Sequence, residues 1–108
     1  MRLVAGVLTA AILMAIVSFA QTPPDPAQGN EIFDEQCRNC HHSDSFETKV
    51  GPGLKWLYSK GKLDSNGKAV TDATVLEKIN AGGKTMPAYK DSLREEDKLN
   101  LLAYLKTI

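Results

Sequence analysis

The sequence predicts a small all-α domain, and three observations carry that prediction. No stretch alternates apolar and polar residues in the manner of a half-buried strand. Helix start and stop chemistry recurs along the chain, with Asp25-Pro26 at one beginning, Gly82 at one end and Ser92-Leu93-Arg94-Glu95 at another beginning. Near the C-terminus Leu101, Tyr104, Leu105 and Ile108 fall at i, i+3, i+4 and i+7, an apolar stripe on one helix face. With 108 residues, 13 basic and 13 acidic side chains, the chain has room for one domain, and it has no internal repeat. The balanced charge gives no basic field for nucleic acid.

The N-terminus reads separately from the rest. Met1-Arg2 is a short positive start, and Leu3 to Phe19 is almost wholly apolar. Ser18-Phe19-Ala20 then places small residues where a signal peptidase reads, and Gln21-Thr22-Pro23-Pro24 follows. Residues 1–20 are expected to be a signal peptide cleaved after Ala20, with the functional domain at 21–108, exported to the periplasm and spanning no membrane. The competing reading is a retained anchor, because the apolar run approaches the ~20 residues needed to cross a bilayer. The shortened chain would carry a net charge of −1, since Arg2 is lost with the leader. Its apolar core would be marginal for its size.

Each element has a local cause. Asp25 is a suitable N-cap and Pro26 a suitable first helical residue, so a helix is expected from Pro26 to about Gln36. Gly29 inside it costs about 1 kcal/mol relative to alanine; either another backbone approaches closely there or the cost is simply tolerated. Residues 42–70 hold Pro52 and four glycines and read as loops, with one short helix at Lys55–Ser59 and turn chemistry at Asp64-Ser65-Asn66-Gly67. That turn faintly suggests a calcium loop, but Lys68 stands where an oxygen ligand is needed. Asp72 to Ala81 reads as a helix with Val75, Leu76 and Ile79 on one side and Gly82 at its C-cap. Ser92 and Glu95 form the S-x-x-E pattern of a capping box, which should open the last helix.

The chemistry concentrates at Cys37-Arg38-Asn39-Cys40-His41. C-x-x-C-H is the spacing of c-type haem attachment. On one helical turn, residues three and four apart share a face. Cys37 and Cys40 would each bond a haem vinyl group as a thioether, and His41 would bring an imidazole nitrogen to the iron. A thioredoxin-type or disulfide C-x-x-C lacks its usual strand–helix setting here. A zinc site needs four ligands, and adjacent His41 and His42 would converge poorly with both thiols. The haem would also supply the apolar centre that so short a chain lacks.

The second iron ligand narrows by elimination. After signal removal Met86 is the only methionine, and His42, next to His41, cannot cross to the other haem face. About 45 residues of loop and helix separate His41 from Met86, enough for the chain to wrap the haem edge. Pro87 fixes the adjacent backbone and biases Met86 towards an extended conformation. The plain alternative for a lone methionine is a core gap-filler.

Together these residues resemble the class I bacterial cytochromes c, the small monohaem periplasmic electron carriers. The resemblance runs over residues 25–108 and rests on Asp25-Pro26-Ala27-x-Gly29 with Phe33, Cys37-x-x-Cys40-His41, Gly51-Pro52-Gly53-Leu54, Thr85-Met86-Pro87 and Leu101-Leu102-Ala103-Tyr104-Leu105-Lys106. It implies that the first and last helices cross, with Gly29 and Phe33 packed on Leu101 and Tyr104. It also implies that the Pro52 carbonyl accepts the His41 Nδ1–H, leaving Nε2 for iron. Trp56 would either pack on the haem or bond a propionate, or else be a plain core tryptophan. His42 and the acidic segment 43–47 match no subgroup.

The function expected is one-electron transfer by haem c, its iron held by His41 and Met86, in a monomer. No nucleophile–base pair or second metal site points to an enzyme. Residues 51–90 carry seven lysines against three acidic side chains, a net +4, which fits a redox partner with an acidic surface. The rivals are a gas-binding or sensing haem domain with a displaceable sixth ligand, and a fixed cytochrome subunit of a periplasmic dehydrogenase or oxidase.

Overall fold

The computed structural model describes residues 11, 12, 14, 15 and 22–108. The expected cleavage site after Ala20, and all but four residues of the expected signal segment, lie outside them. Among the described residues three α-helices follow in order: α1 (Pro26–Gln36), α2 (Asp72–Ala81) and α3 (Glu95–Leu105). A single 3-10 turn, Leu57–Ser59, interrupts the long connection between α1 and α2. Among the described residues strand pairing is limited to one isolated antiparallel bridge, Lys62 to Ala69. The domain is all-α, as expected, and no helix described is long and apolar enough to cross a membrane.

Helix α1 starts where its cap chemistry demands. The Asp25 carboxylate accepts the Ala27 N–H at 2.9 Å, and Pro26 opens the first turn. Its glycine is a contact. A β-carbon on Gly29 would strike the carbonyl of Asn100 and come within 2.8 Å of Tyr104 Cβ. The two backbones therefore touch, and only glycine fits. One turn on, Phe33 is completely buried and its ring meets Tyr104 at 5.4 Å between centroids, tilted by 54°. Asn100, itself buried, fastens the same crossing by accepting the Asp25 N–H at 2.8 Å and donating to Gln28 Oε1 at 3.2 Å.

Helix α2 is closed at both ends. Thr71 and Thr74 exchange side-chain and backbone hydrogen bonds of 2.9 and 3.1 Å, a capping box built from two threonines. Gly82 ends the helix at φ 65°.

The start of α3 corrects the sequence reading. Ser92 is not its cap. The N–H groups of Ser92 and Leu93 both point back to the Tyr89 carbonyl at 3.3 Å, so a separate tight turn occupies residues 89–92. Arg94 becomes the N-cap residue, extended at ψ 154° and without a side-chain cap bond. Magnitudes explain why this is tolerated. A missing cap costs ~1 kcal/mol, whereas Leu101, Leu102 and Leu105 are buried along α3 and each contributes about 1.5–3 kcal/mol. Packing, not capping, fixes α3. Buried Lys98 adds a polar tie, donating to the Lys90 carbonyl at 2.8 Å and to Glu95 at 2.9 Å.

The short helix expected at Lys55–Ser59 is confined to Leu57–Ser59. Trp56, just before it, has left-handed backbone angles (φ 58°, ψ 32°) that break a helix for any L-residue.

Candidate functional site

Below the α1–α3 crossing the remaining core residues enclose a cavity of about 270 Å³, roughly twentyfold what one water molecule requires. Phe33, Leu57, Val75, Ile79, Leu101 and Leu105 supply its apolar walls. Its polar and sulfur-bearing lining comes from two separate segments.

The first segment leaves the end of α1. The Cys37 and Arg38 N–H groups both bond the Phe33 carbonyl, at 2.8 and 2.9 Å, and the Cys40 and His41 N–H groups return to the Cys37 carbonyl, at 3.1 and 2.9 Å. This winds 37–41 into one further turn. Both thiols are free and half-buried, and Cys37, Cys40 and His41 all line the cavity. His41 is then fixed from outside. Its Nδ1–H donates to the Pro52 carbonyl at 2.8 Å. A carbonyl can only accept, so this bond selects the tautomer whose Nε2 carries a free lone pair. Gly51 brings the strap into place by donating its N–H to the Cys40 carbonyl at 2.8 Å. A β-carbon on Gly51 would meet the imidazole ring, coming within 2.9 Å of both of its nitrogens.

The second segment carries Met86, half-buried and lining the same cavity. Gly83 N–H bonds the Met86 carbonyl at 3.0 Å. At Gly82 a β-carbon would lie 2.8 Å from the Pro87 carbonyl. Tyr89 anchors the far end of the loop. Its N–H donates to the Ile79 carbonyl at 2.9 Å and its hydroxyl to the Gln36 carbonyl at 3.0 Å, beside Cys37. Burial, with the nearby thiols adding, holds the Tyr89 hydroxyl above the ordinary phenol range.

The electrostatics argue against thiol redox chemistry. A reactive C-x-x-C lowers the pKa of its attacking cysteine well below the ordinary value. Here burial, and secondarily Cys40, pushes the Cys37 thiol up to about 11. Among the described residues no three His, Cys, Asp or Glu side chains group to hold a metal ion, so a zinc site has no ligand set. What remains is a largely apolar cavity with two thiols, an imidazole nitrogen and a thioether on its lining, a donor set that fits a covalent haem.

A family model described as "Cytochrome C oxidase, cbb3-type, subunit III" matches residues 24–105. The chain belongs to this cytochrome c family. Its cofactor is accordingly one covalently bound haem c with its iron. The fold of this cytochrome c domain is similar to that of cytochrome c6 from the diatom Phaeodactylum tricornutum, with a TM-score of 0.61 at 24% identity over 77% of this chain and 92% of that one.

Of the residues singled out in the sequence, Cys37, Cys40, His41, Pro52 and Met86 line one cavity. Trp56 does not, and it is not core either. It is 57% exposed, and its ring meets that of Phe46 edge-on at 5.3 Å. Sequence reasoning passed over Tyr89 and Asn100. Both act through partners more than 50 residues away, Gln36 and Asp25, and no local spacing signals such a bond.

Proposed function

We propose that this cytochrome c domain is a one-electron carrier whose Cys37 and Cys40 hold the haem as thioethers and whose His41 and Met86 are the axial ligands. Bound haem supplies reversible Fe(II)/Fe(III) chemistry. The observation that carries the reading is the His41–Pro52 bond at 2.8 Å, which commits Nδ1 and leaves Nε2 free on a residue that lines the same cavity as Met86. The chain's own residues do the rest. Pro52 orients the imidazole and raises its basicity. Gly82 and Gly83 hold the Met86 backbone, and a thioether ligand favours the reduced state and raises the potential. The apolar walls exclude water. We place the mature protein, cleaved after Ala20, in the periplasm as a monomer that delivers electrons to an acidic-surfaced partner through its lysine-rich middle and catalyses no reaction itself.

The family description favours one second reading: the same electron-transfer site in a fixed subunit of a cbb3-type oxidase. Co-purification of the native protein separates the two. A carrier is recovered alone, and a subunit is recovered with its complex.

The ligand set is tested by carbon monoxide. The reduced protein should resist carbon monoxide at neutral pH, and the oxidised protein should have the weak far-red sulfur-to-iron absorption band. Met86→Ala should abolish the band, admit carbon monoxide and lower the potential by on the order of 0.1 V, a fraction of the range that axial ligands span. Rapid stoichiometric binding by the unmutated protein would sink the carrier reading in favour of a gas-binding domain.

A further inference from the structure

Trp56 stands where the backbone asks for glycine. It is the only non-glycine residue with positive φ among those described, and left-handed angles are least comfortable for bulky side chains. Its aromatic contact among the described residues is itself at the surface. Its ring is 57% exposed, and its T-shaped partner Phe46, at 5.3 Å, is 52% exposed. Strain kept at an exposed aromatic residue points to use at the surface.

The setting says what kind of use. Lys55 Nζ lies 5.3 Å from the Trp56 ring and 5.4 Å from the Phe46 ring, and Lys60 Nζ lies 5.9 Å from Phe46. Lys60 also pairs with Asp64 at 3.5 Å, whereas the Lys55 ammonium has no carboxylate partner among the described residues. The platform is apolar at its centre and cationic above. It is also joined to the cavity. Lys60 donates to the Gly53 carbonyl at 3.3 Å, and Gly53 lies against the backbone of residues 45–47. Gly53 and Lys60 line the cavity, so one loop presents the rings outward and the cavity wall inward.

We infer that Phe46 and Trp56, with Lys55 and Lys60, form a docking surface for a protein partner that offers carboxylates around an apolar spot. Charge complementarity selects that occupant: the lysines need carboxylates at pairing distance, while the rings need an apolar face. That the partner exchanges electrons rests on the function proposed above. The surface itself does not.

The test titrates the reduced holoprotein at low salt with a random copolymer of glutamate and tyrosine, followed by amide NMR. Polyglutamate and phosphatidylglycerol vesicles are the comparison probes. Shifts should cluster at residues 44–60, and the copolymer should bind more tightly than polyglutamate. Trp56→Gly and Lys55→Glu should each weaken copolymer binding about tenfold, the scale of one lost anchor contact. Trp56→Gly should also keep or raise the melting temperature, because glycine accepts this backbone without strain. A lowered melting temperature with unchanged affinity would make Trp56 structural and overturn the inference. Equal binding of both polymers, tighter binding to vesicles, or self-association abolished by Trp56→Gly would overturn it too. The carbon monoxide test stays separate. Failed docking with an intact far-red band refutes only the surface, and carbon monoxide binding by the unmutated protein refutes only the electron-transfer reading.

Discussion

The α1–α3 crossing and the Met86 loop are both close approaches of distant chain segments, but they are held differently. At the crossing, contact is steric. Gly29 admits the Asn100 carbonyl, Phe33 is completely buried, and Leu101 is 1% exposed. Around Met86, besides the close approach at Gly82 and the burial of Tyr89, much of the hold comes from hydrogen bonds, Gly83 to the Met86 carbonyl and Tyr89 to Ile79 and Gln36. Buried contact area resists displacement over the whole surface, whereas a hydrogen bond contributes only about 0.5–1.5 kcal/mol net. The crossing is therefore expected to act as the scaffold, and the loop to loosen first.

The largest effect should come from breaking the scaffold. Gly29→Leu drives a side chain into the Asn100 backbone and should cost at least the 1–3 kcal/mol typical of overpacking. At roughly 4–8 °C per kcal/mol for a domain of this size, the melting temperature should fall clearly. An unchanged melting temperature would mean that the helices do not touch at Gly29.

A smaller effect sharpens the contrast on the loop side. Tyr89→Phe keeps the ring but deletes the bond to the Gln36 carbonyl, with an expected loss of about 0.5–1.5 kcal/mol. The loss should be local. Amide exchange should quicken at Gly83 and Tyr89 while the amides of α1 and α3 keep their protection. Uniform loss of protection across all three helices would make loop and scaffold one cooperative unit.

The smallest effect is electrostatic and tests a surface tie outside both regions. Asp72 accepts from Lys106 Nζ at 2.9 Å and from the Tyr58 hydroxyl at 2.8 Å, joining the start of α2 to the end of α3. Chiefly the Lys106 bond, then the Tyr58 bond, lowers the Asp72 pKa below its ordinary value. A lowered carboxylate pKa stabilises the fold above the unfolded value, and the contribution is lost as pH falls through the folded value. Because the pair is half-exposed, it contributes about 0.2–1 kcal/mol. Asp72→Asn should melt slightly below the wild type at neutral pH, and the gap should close as the pH falls through the folded carboxyl's lowered value. A gap that persists in acid would show that the substitution acts by packing.

What could be read in the sequence follows from how local each cause is. The bounds of α1 and α2 were legible because Pro26 and Gly82 act on their own backbone. The convergence of Cys37, Cys40 and His41 was legible because one turn of chain contains it. The start of α3 was misread because Ser92 answers to Tyr89 instead of Glu95. The outward turn of Trp56 had no signal, since tryptophan is not a residue that announces a left-handed backbone. The fastening roles of Asn100 and Tyr89 need the tertiary fold before their partners exist.

Burial of Cys37 also makes its sulfur less reactive in the folded chain than in the unfolded one. Thiolate is the species that oxidants and disulfides react with. Raising the thiol from 9.0 to about 11 cuts its thiolate fraction at neutral pH about a hundredfold. Attack by the Cys37 sulfur itself is thus slower once the α1 end packs than in the unfolded chain.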